Sequence, residues 1–104
     1  MTGIMIRFAG AILVIGLSHS AFAADPGNGG KIAQRWCASC HLVAPAQQQA
    51  SADAPPFATI GRMPGFSAER VAFFLLSPHP PMVDMGLSRN DAQDLAAYIG
   101  SLAK

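Results

Sequence analysis

The chain has 104 residues, of which 51% are hydrophobic and 12% are charged, and its formal net charge is +1. Seven Lys and Arg residues nearly balance six Asp and Glu residues, so the sequence has no basic stripe of the kind that nucleic-acid binding requires. A chain this short forms one small domain, and such a core often depends on a disulfide, a metal or a cofactor for its stability.

The N-terminus has the pattern of a secretory signal peptide. Arg7 precedes the unbroken apolar run 8–17 (FAGAILVIGL), and a small-x-small triplet follows at 21–23. The ten apolar residues of this run fall short of the roughly 20 that a membrane-spanning helix needs, which disfavours an uncleaved anchor. We therefore predict a signal peptide at 1–23 and one periplasmic domain at 24–104, without a stable membrane anchor.

Two helices are predicted in the first and middle parts of the domain. The stretch NGGKIAQRW fits a short helix that is capped by Asn28 and carries Ile32 and Trp36 one turn apart on one face. The stretch SAERVAFFLLSP fits a second helix, with Ser67 as its cap and Glu69 in its first turn. The predicted apolar side of this second helix consists of Val71, Phe74 and Leu75.

The last helix is predicted from the stretch SRNDAQDLAAYIGSLAK. Ser88 and Asp91 resemble a capping box at its start. The apolar stripe of this helix consists of Leu95, Tyr98, Ile99 and Leu102. Loops are predicted at 42–56 and 77–87, and no segment alternates convincingly as a strand would. The fold class predicted from these elements is all-α.

The chain has only two cysteines, Cys37 and Cys40, and both lie in the stretch CASCH directly before His41. Zinc would have to recruit distant residues, because a second cysteine pair is missing. A thioredoxin-like disulfide expects flanking strands, and none is predicted here. Two thiols at this spacing can add across the two vinyl groups of one porphyrin while the imidazole reaches the iron. The motif therefore predicts covalent attachment of haem, with His41 as an iron ligand.

The ligand on the other face of the iron decides between electron transfer and ligand chemistry. The candidates downstream of the motif are Met63, Met82, Met85 and His79, or no side chain at all. Met82 is favoured because the proline-stiffened loop SPHPPMVDM can hold a thioether at low entropic cost. Met85 lies in the same loop, and His79 would give a bis-histidine haem of lower potential, so both stay open on residue chemistry alone.

The arrangement closely resembles the class I cytochrome c family over almost the whole chain after residue 23. The matching pieces, in order, are Gly29, CASCH, Pro55-Pro56-Phe57, PPM at 80–82 and LAAYI at 95–99. The resemblance implies an all-α cytochrome c fold, in which three to five helices wrap around one covalently bound haem c. It also implies that Met82 is the second axial ligand, which leaves Met85 as packing in the haem pocket.

The resemblance further implies roles for residues outside the motif. The first and last helices are expected to cross near Gly29, with Tyr98 packed at the contact. The carbonyl of Pro55, with Pro56 as the alternative, is expected to accept the N–H of the proximal imidazole and so fix that ring. Phe57 is expected to line the haem pocket.

With His41 and Met82 both bound, no iron position would remain for oxygen or a substrate. The resemblance therefore implies a soluble periplasmic carrier of single electrons and not an enzyme. Its expected partners are redox proteins, a dehydrogenase or an oxidase, which would meet an exposed haem edge near the cysteines; the protein is expected to be a monomer or a small subunit. Two alternatives stay open: a small haem subunit of a dehydrogenase or oxidase complex, and a haem enzyme or gas-binding protein with a labile sixth ligand.

Overall fold

The computed structural model describes residues 2–5, 9–16, 23–77 and 79–104. Within these residues the chain forms four α-helices and no β-strand. The helices are α1 (Pro26–Ile32), α2 (Phe57–Gly61), α3 (Ala68–Leu76) and α4 (Arg89–Ser101), and a π-helical turn, Ala33–Cys37, continues α1. The predicted all-α fold class is confirmed.

The predicted signal peptide falls only partly within the described residues, since Arg7 and positions 17–22 lie outside them. Residues 2–5 and 9–16 are exposed and are neither helical nor extended in a sheet. The apolar side chains of Ile12 and Val14 are 88% and 83% exposed, so they take no part in the core. None of the helices in the described parts of the chain is long and apolar enough to span a bilayer.

The helix α1 begins earlier than predicted, and Asn28 is not its cap. The Asp25 carboxylate accepts hydrogen bonds from the N–H groups of Gly27 and Asn28, at 2.9 and 3.2 Å. Pro26 fits the first helical position, where its missing N–H would have had no intrahelical partner. The Asn28 side chain instead donates to the Asp94 carboxylate on α4 at 2.8 Å, and the Asp25 N–H donates to the same carboxylate at 2.7 Å. These bonds tie the start of α1 to α4.

Ile32 and Trp36, which were predicted to share one packed face, differ in burial. Ala33 and Cys37 are buried, and Ile32 packs against them. Trp36 is 49% exposed, so the expectation that it shares the packed face of Ile32 is wrong. The Arg35 guanidinium carbon lies 5.0 Å from the centroid of the Trp36 ring, within cation–π distance.

The helix α3 begins and ends where the sequence predicts. The Ser67 hydroxyl accepts a hydrogen bond from the Arg70 N–H at 3.3 Å, which satisfies a backbone donor of the first turn. Val71 and Leu75 pack against the core as predicted. Phe74 is 54% exposed, and the predicted apolar side is wrong at this residue, because the buried position facing α4 is Ala72.

The helix α4 supplies the centre of the core, as its apolar spacing predicts. The Ser88 hydroxyl accepts a hydrogen bond from the Asp91 N–H at 3.0 Å and caps the helix. Leu95 and Ile99 are 0% and 2% exposed. The other buried hydrophobic residues are Ala33, Cys37, Val43, Phe57, Ala72, Ala92 and Ala96.

The short helix α2 has no counterpart among the predicted helices. Its five residues are too few to show a helical period in the sequence. It lies against α4 at Gly61, where an added Cβ would overlap the backbone carbonyl of Ile99. The glycine therefore permits the close approach that holds α2 beside the core.

The helices α1 and α4 cross at Gly29, as the family resemblance implies. A Cβ on Gly29 would overlap the backbone carbonyl of Asp94 and would lie 2.8 Å from Tyr98 Cβ. The Tyr98 ring packs beside this crossing, and its hydroxyl donates a hydrogen bond to the Val43 carbonyl. Burial raises the pKa of the Tyr98 phenol above its usual value. Only a glycine allows the two backbones to approach this closely.

Substitution of Gly29 by alanine is expected to destabilise the protein by about 1–3 kcal/mol, because the added methyl group meets backbone that cannot rotate away. The matched control is Gly30→Ala in the same helix. There the new Cβ would lie 3.2 Å from Tyr98 Cε2, a contact that a shift of a few tenths of an ångström relieves. Alanine also favours the helix over glycine, so this control should stay within about 1 kcal/mol of wild type. Denaturant unfolding of the two holoproteins, followed by circular dichroism, gives the comparison; equal midpoints for the two variants would contradict it.

Candidate functional site

The stretch CASCH forms a tight turn at the end of the π-helical turn. The Cys37 carbonyl accepts hydrogen bonds from the Cys40 N–H at 3.1 Å and from the His41 N–H at 2.8 Å. The Ala38 N–H donates to the Ala33 carbonyl at 3.0 Å, in the wider pattern typical of π-helical turns at functional sites. The backbone therefore places Cys37, Cys40 and His41 in one hydrogen-bonded turn.

The two cysteines are free thiols in different surroundings. Cys37 is buried at 3% exposure, whereas Cys40 is exposed. Burial, with a smaller contribution from the neighbouring Cys40, raises the pKa of the Cys37 thiol to about 11. Redox-active Cys-x-x-Cys motifs depend on a lowered thiol pKa, so this environment disfavours a thiol switch. The described residues also contain no cluster of three or more His, Cys, Asp or Glu side chains that could hold zinc.

The His41 imidazole is fixed by a backbone carbonyl. Its Nδ1 lies 2.8 Å from the Pro55 carbonyl oxygen, and because a carbonyl only accepts, the Nδ1–H donates. Nε2 then keeps its lone pair for a metal, which is the arrangement found for metal-bound histidines. The geometry selects Pro55 over Pro56 as the acceptor. The buried Phe57 ring packs beside the imidazole, with ring centroids 5.0 Å apart at an angle of 48°.

The side chain of Gln47 fastens the loop after the motif. Its Oε1 accepts from the Val43 N–H at 2.9 Å, and its Nε2 donates to the Ala38 and His41 carbonyls at 2.8 and 2.9 Å. The Gln49 carbonyl lies 3.0 Å from the same nitrogen, so three carbonyls share its two hydrogens. Sequence reasoning missed this role, because Gln47 lies in a polar stretch, PAQQQASADAPP, in which nothing distinguishes it from the adjacent glutamines.

The loop that contains Met82 forms a second group of candidate residues with α3. Met82 is half-buried, and its N–H donates to the His79 carbonyl at 3.0 Å. The His79 Nε2 lies 2.9 Å from the Met82 sulfur, and its ring stacks on Phe74 with centroids 3.8 Å apart. Met63, another sulfur candidate, is 56% exposed. Met85, the remaining candidate, is half-buried.

The residues of the two groups fit a large apolar prosthetic group that binds iron. The first group offers two thiols and an imidazole with an available nitrogen, and the second offers a thioether and a further imidazole. The domain leaves the large apolar side chains of Phe73 and Phe74 on α3 exposed. Exposed apolar surface of this kind on a small domain indicates that another apolar body covers it. Haem satisfies both the donor chemistry and the apolar surface.

The helical fold and the Cys-x-x-Cys-His turn together define a c-type haem protein. Cytochrome c-552 of Bradyrhizobium diazoefficiens is 55% identical to this chain over 100 residues, which cover 93% of this chain and 96% of that relative. No family profile matches the chain, and no solved structure matches it. The similarity to cytochrome c-552 shows that the chain belongs to the class I c-type cytochromes, whose cofactor is covalent haem c. The predicted family and cofactor are thereby confirmed.

Replacement of Gln47 by alanine is expected to lower the free energy of unfolding by about 2–4 kcal/mol, since several hydrogen bonds worth roughly 0.5–1.5 kcal/mol each are lost. The adjacent Gln48 is exposed and provides the matched control. Gln48→Ala should change stability by no more than about 0.5 kcal/mol. Thermal unfolding of the two holoproteins under the same conditions measures the difference, and a Gln47→Ala midpoint equal to that of the control would show that the loop is held by other contacts.

Proposed function

We propose that this cytochrome is a soluble periplasmic carrier of single electrons, with Cys37 and Cys40 as the covalent haem anchors and His41 and Met82 as the axial ligands. The observation that carries the proposal is the hydrogen bond from His41 Nδ1–H to the Pro55 carbonyl. This bond selects one tautomer, orients the ring and strengthens nitrogen donation to a metal. The neighbouring thiols lie in the same hydrogen-bonded turn, as attachment to one porphyrin requires.

The assignment of Met82 rests on the family resemblance, and its place in the loop between α3 and α4 supports it. Its side chain is half-buried, and its N–H donates to the His79 carbonyl and closes a turn. This ordered backbone lowers the conformational entropy that the loop would lose when the thioether binds iron. The haem supplies one-electron chemistry at iron, and a His/Met ligand pair raises its reduction potential. When both side chains stay bound, they exclude oxygen and substrates from the iron, which favours electron transfer over catalysis.

The surface around the attachment turn suits contact with redox proteins. Cys40 is exposed, so a haem joined to it would have an edge near the protein surface. Trp36, half-exposed beside Arg35, adds an apolar surface next to the same turn. A dehydrogenase or an oxidase that docks at this surface could exchange electrons with the haem edge. Pro55 and Phe57 both contact the His41 ring, and on this proposal they would line the haem pocket on that side.

The periplasmic location is supported by the N-terminal pattern of a basic residue, an apolar run and a small-x-small triplet. In the described parts of this segment, Ile12 and Val14 are exposed and outside the core. The regular structure of the described chain begins only at the Asp25 cap of α1. These observations fit a domain that keeps its helical contacts after cleavage at Ala23.

Met82→Ala is expected to abolish the methionine–iron charge-transfer absorption of the ferric protein, because the thioether that produces it is gone. The reduction potential should fall, within the roughly 0.8 V range that axial ligands set. Met63→Ala is the control, because Met63 is exposed. This variant is expected to keep both the absorption band and the reduction potential of the wild type. A redox titration with absorption spectra on each holoprotein measures both quantities. An unchanged spectrum in Met82→Ala would overturn the ligand assignment.

Expression of the full chain in a bacterium is expected to give a periplasmic haem protein whose first residue is Ala24 and whose mass includes one haem. Intact-mass measurement of the periplasmic fraction tests this. Recovery of the uncleaved chain in the membrane fraction would contradict the location. Size-exclusion chromatography of the same fraction separates the two remaining roles, because a free carrier elutes as a small monomer and a subunit elutes with a larger redox protein.

A further inference from the structure

We propose that cleavage after Ala23 completes the contact between α1 and α4, because the new amino group of Ala24 pairs with the Asp94 carboxylate. The inference rests on the proposed function, in which residues 1–23 are removed in the periplasm. It goes beyond that function by giving the cut a structural consequence. The helix crossing that positions the attachment turn becomes tighter in the processed chain than in the precursor.

The Asp94 carboxylate is the point at which the start of the domain meets α4. The residue is half-buried, and its Oδ1 accepts a hydrogen bond from the Asp25 N–H at 2.7 Å. Its Oδ2 accepts a hydrogen bond from the Asn28 side chain at 2.8 Å, and the Asp91 Oδ1 lies 3.5 Å from the same amide nitrogen. All of these donors are neutral, so the negative charge of this carboxylate is hydrogen-bonded without being balanced by them.

Chain connectivity fixes where the new amino group lies. Successive backbone nitrogens are at most about 3.7 Å apart. Because the Asp25 nitrogen lies 2.7 Å from the Asp94 Oδ1, the Ala24 nitrogen lies within roughly 6 Å of that oxygen. In the precursor this nitrogen is a neutral amide, whereas after cleavage it is an ammonium. Opposite charges at this separation favour the charged form, and Ala24 is exposed, so the ammonium keeps its water.

The dipole of α1 opposes the new charge but is the weaker of the two influences. The N-terminus of a helix carries roughly half a positive charge. The Asp25 carboxylate already caps this end by accepting from the Gly27 N–H at 2.9 Å. Asp94 adds a second full negative charge at the same place. The amino group therefore meets two carboxylates against half a charge from the helix.

The cationic side chains of the two helices lie elsewhere in the chain. Lys31 belongs to the last turn of α1, Arg35 to the π-helical turn, and Arg89 is the first residue of α4. Tyr98, which packs at the crossing, is an uncharged phenol below about pH 9. The hydrogen bonds at the start of α1 thus bring carboxylates, and no cation, to the position of the new amino group.

The pairing predicts a pH dependence of stability with a definite sign. An α-amino group ordinarily has a pKa of about 7.7–8.0, and the neighbouring carboxylates raise the pKa of this amine in the folded protein. A group whose pKa is raised by folding contributes stability below its ordinary pKa and loses that contribution as the pH rises through the raised value. The contribution of the amine should therefore be complete at about pH 6.5 and absent at about pH 10.

The test compares the mature holoprotein, which begins at Ala24, with a form that carries Gly-Ser inserted before Ala24. The insertion keeps the ammonium in the chain but moves it away from Asp94. At about pH 6.5 the insertion is expected to lower the thermal midpoint by about 2–4 °C, the size typical of one exposed ion pair in a small domain. At about pH 10 the two midpoints should agree, because the amine is then neutral in both forms.

Two carboxylate variants are compared in the same way. In Asp94→Asn the insertion should change the midpoint at about pH 6.5 by less than about 1 °C, because the partner of the ammonium has lost its charge. The matched control is Asp53→Asn, which removes an exposed carboxylate in the loop before α2 and should keep the full difference. Measuring the insertion within each variant cancels the effect that the substitution itself has on stability.

Equal midpoints of the two wild-type forms at about pH 6.5 would overturn the inference. A difference that persists in Asp94→Asn or at about pH 10 would overturn it as well, because the insertion would then act sterically. The intact mass of the chain made with its own leader tests the cleavage, and an N-terminus other than Ala24 would overturn both the predicted cut and the inference. The methionine–iron band of the same holoproteins tests the ligand assignment separately, since its absence would remove Met82 from the iron without changing the meaning of the midpoints.

Discussion

The close approach of α1 and α4 at Gly29 is the contact on which the rest of the domain depends. The backbones meet where a side chain would overlap the Asp94 carbonyl, and the same Asp94 accepts hydrogen bonds from the start of α1. This contact fixes the position of α1 against the core helix. Since α1 runs without interruption into the π-helical turn, the position of Cys37 follows from it. The site is therefore placed by a helix crossing and not by the loop alone.

A chain of backbone contacts carries this placement from α4 to the proximal histidine. Tyr98, beside the crossing, donates to the Val43 carbonyl, and the Val43 N–H donates to Gln47. Gln47 in turn donates to the His41 carbonyl, and the His41 ring donates to Pro55. Val43 is thus held at both its polar groups and has no exposed surface, which keeps the loop rigid where the imidazole needs a fixed direction. The arrangement suits electron transfer, which gains from a metal site that changes little between oxidation states.

The sequence predicted the features that depend on local chemistry and missed those that depend on distant partners. The helix α4 was predictable because it is long, periodic and capped by Ser88, and the attachment motif was predictable because its spacing is specific. Asn28 has the side chain of a helix cap, but α1 begins at Pro26 and its cap is Asp25. Asn28 instead donates to Asp94 on α4, which is distant in the sequence. Gln47 shows no local pattern at all, because its role consists of bonds to backbone groups on the other side of a loop.

A crystal structure of the mature holoprotein would test the central claim most directly, because it would show which atoms bind the iron. We expect one haem joined to Cys37 and Cys40, with His41 Nε2 and the Met82 sulfur on opposite sides of the iron and the His41 Nδ1–H still bonded to Pro55. Iron bound by water, Met85 or His79 in the untreated protein, or a His41 ring turned away from Pro55, would contradict the account.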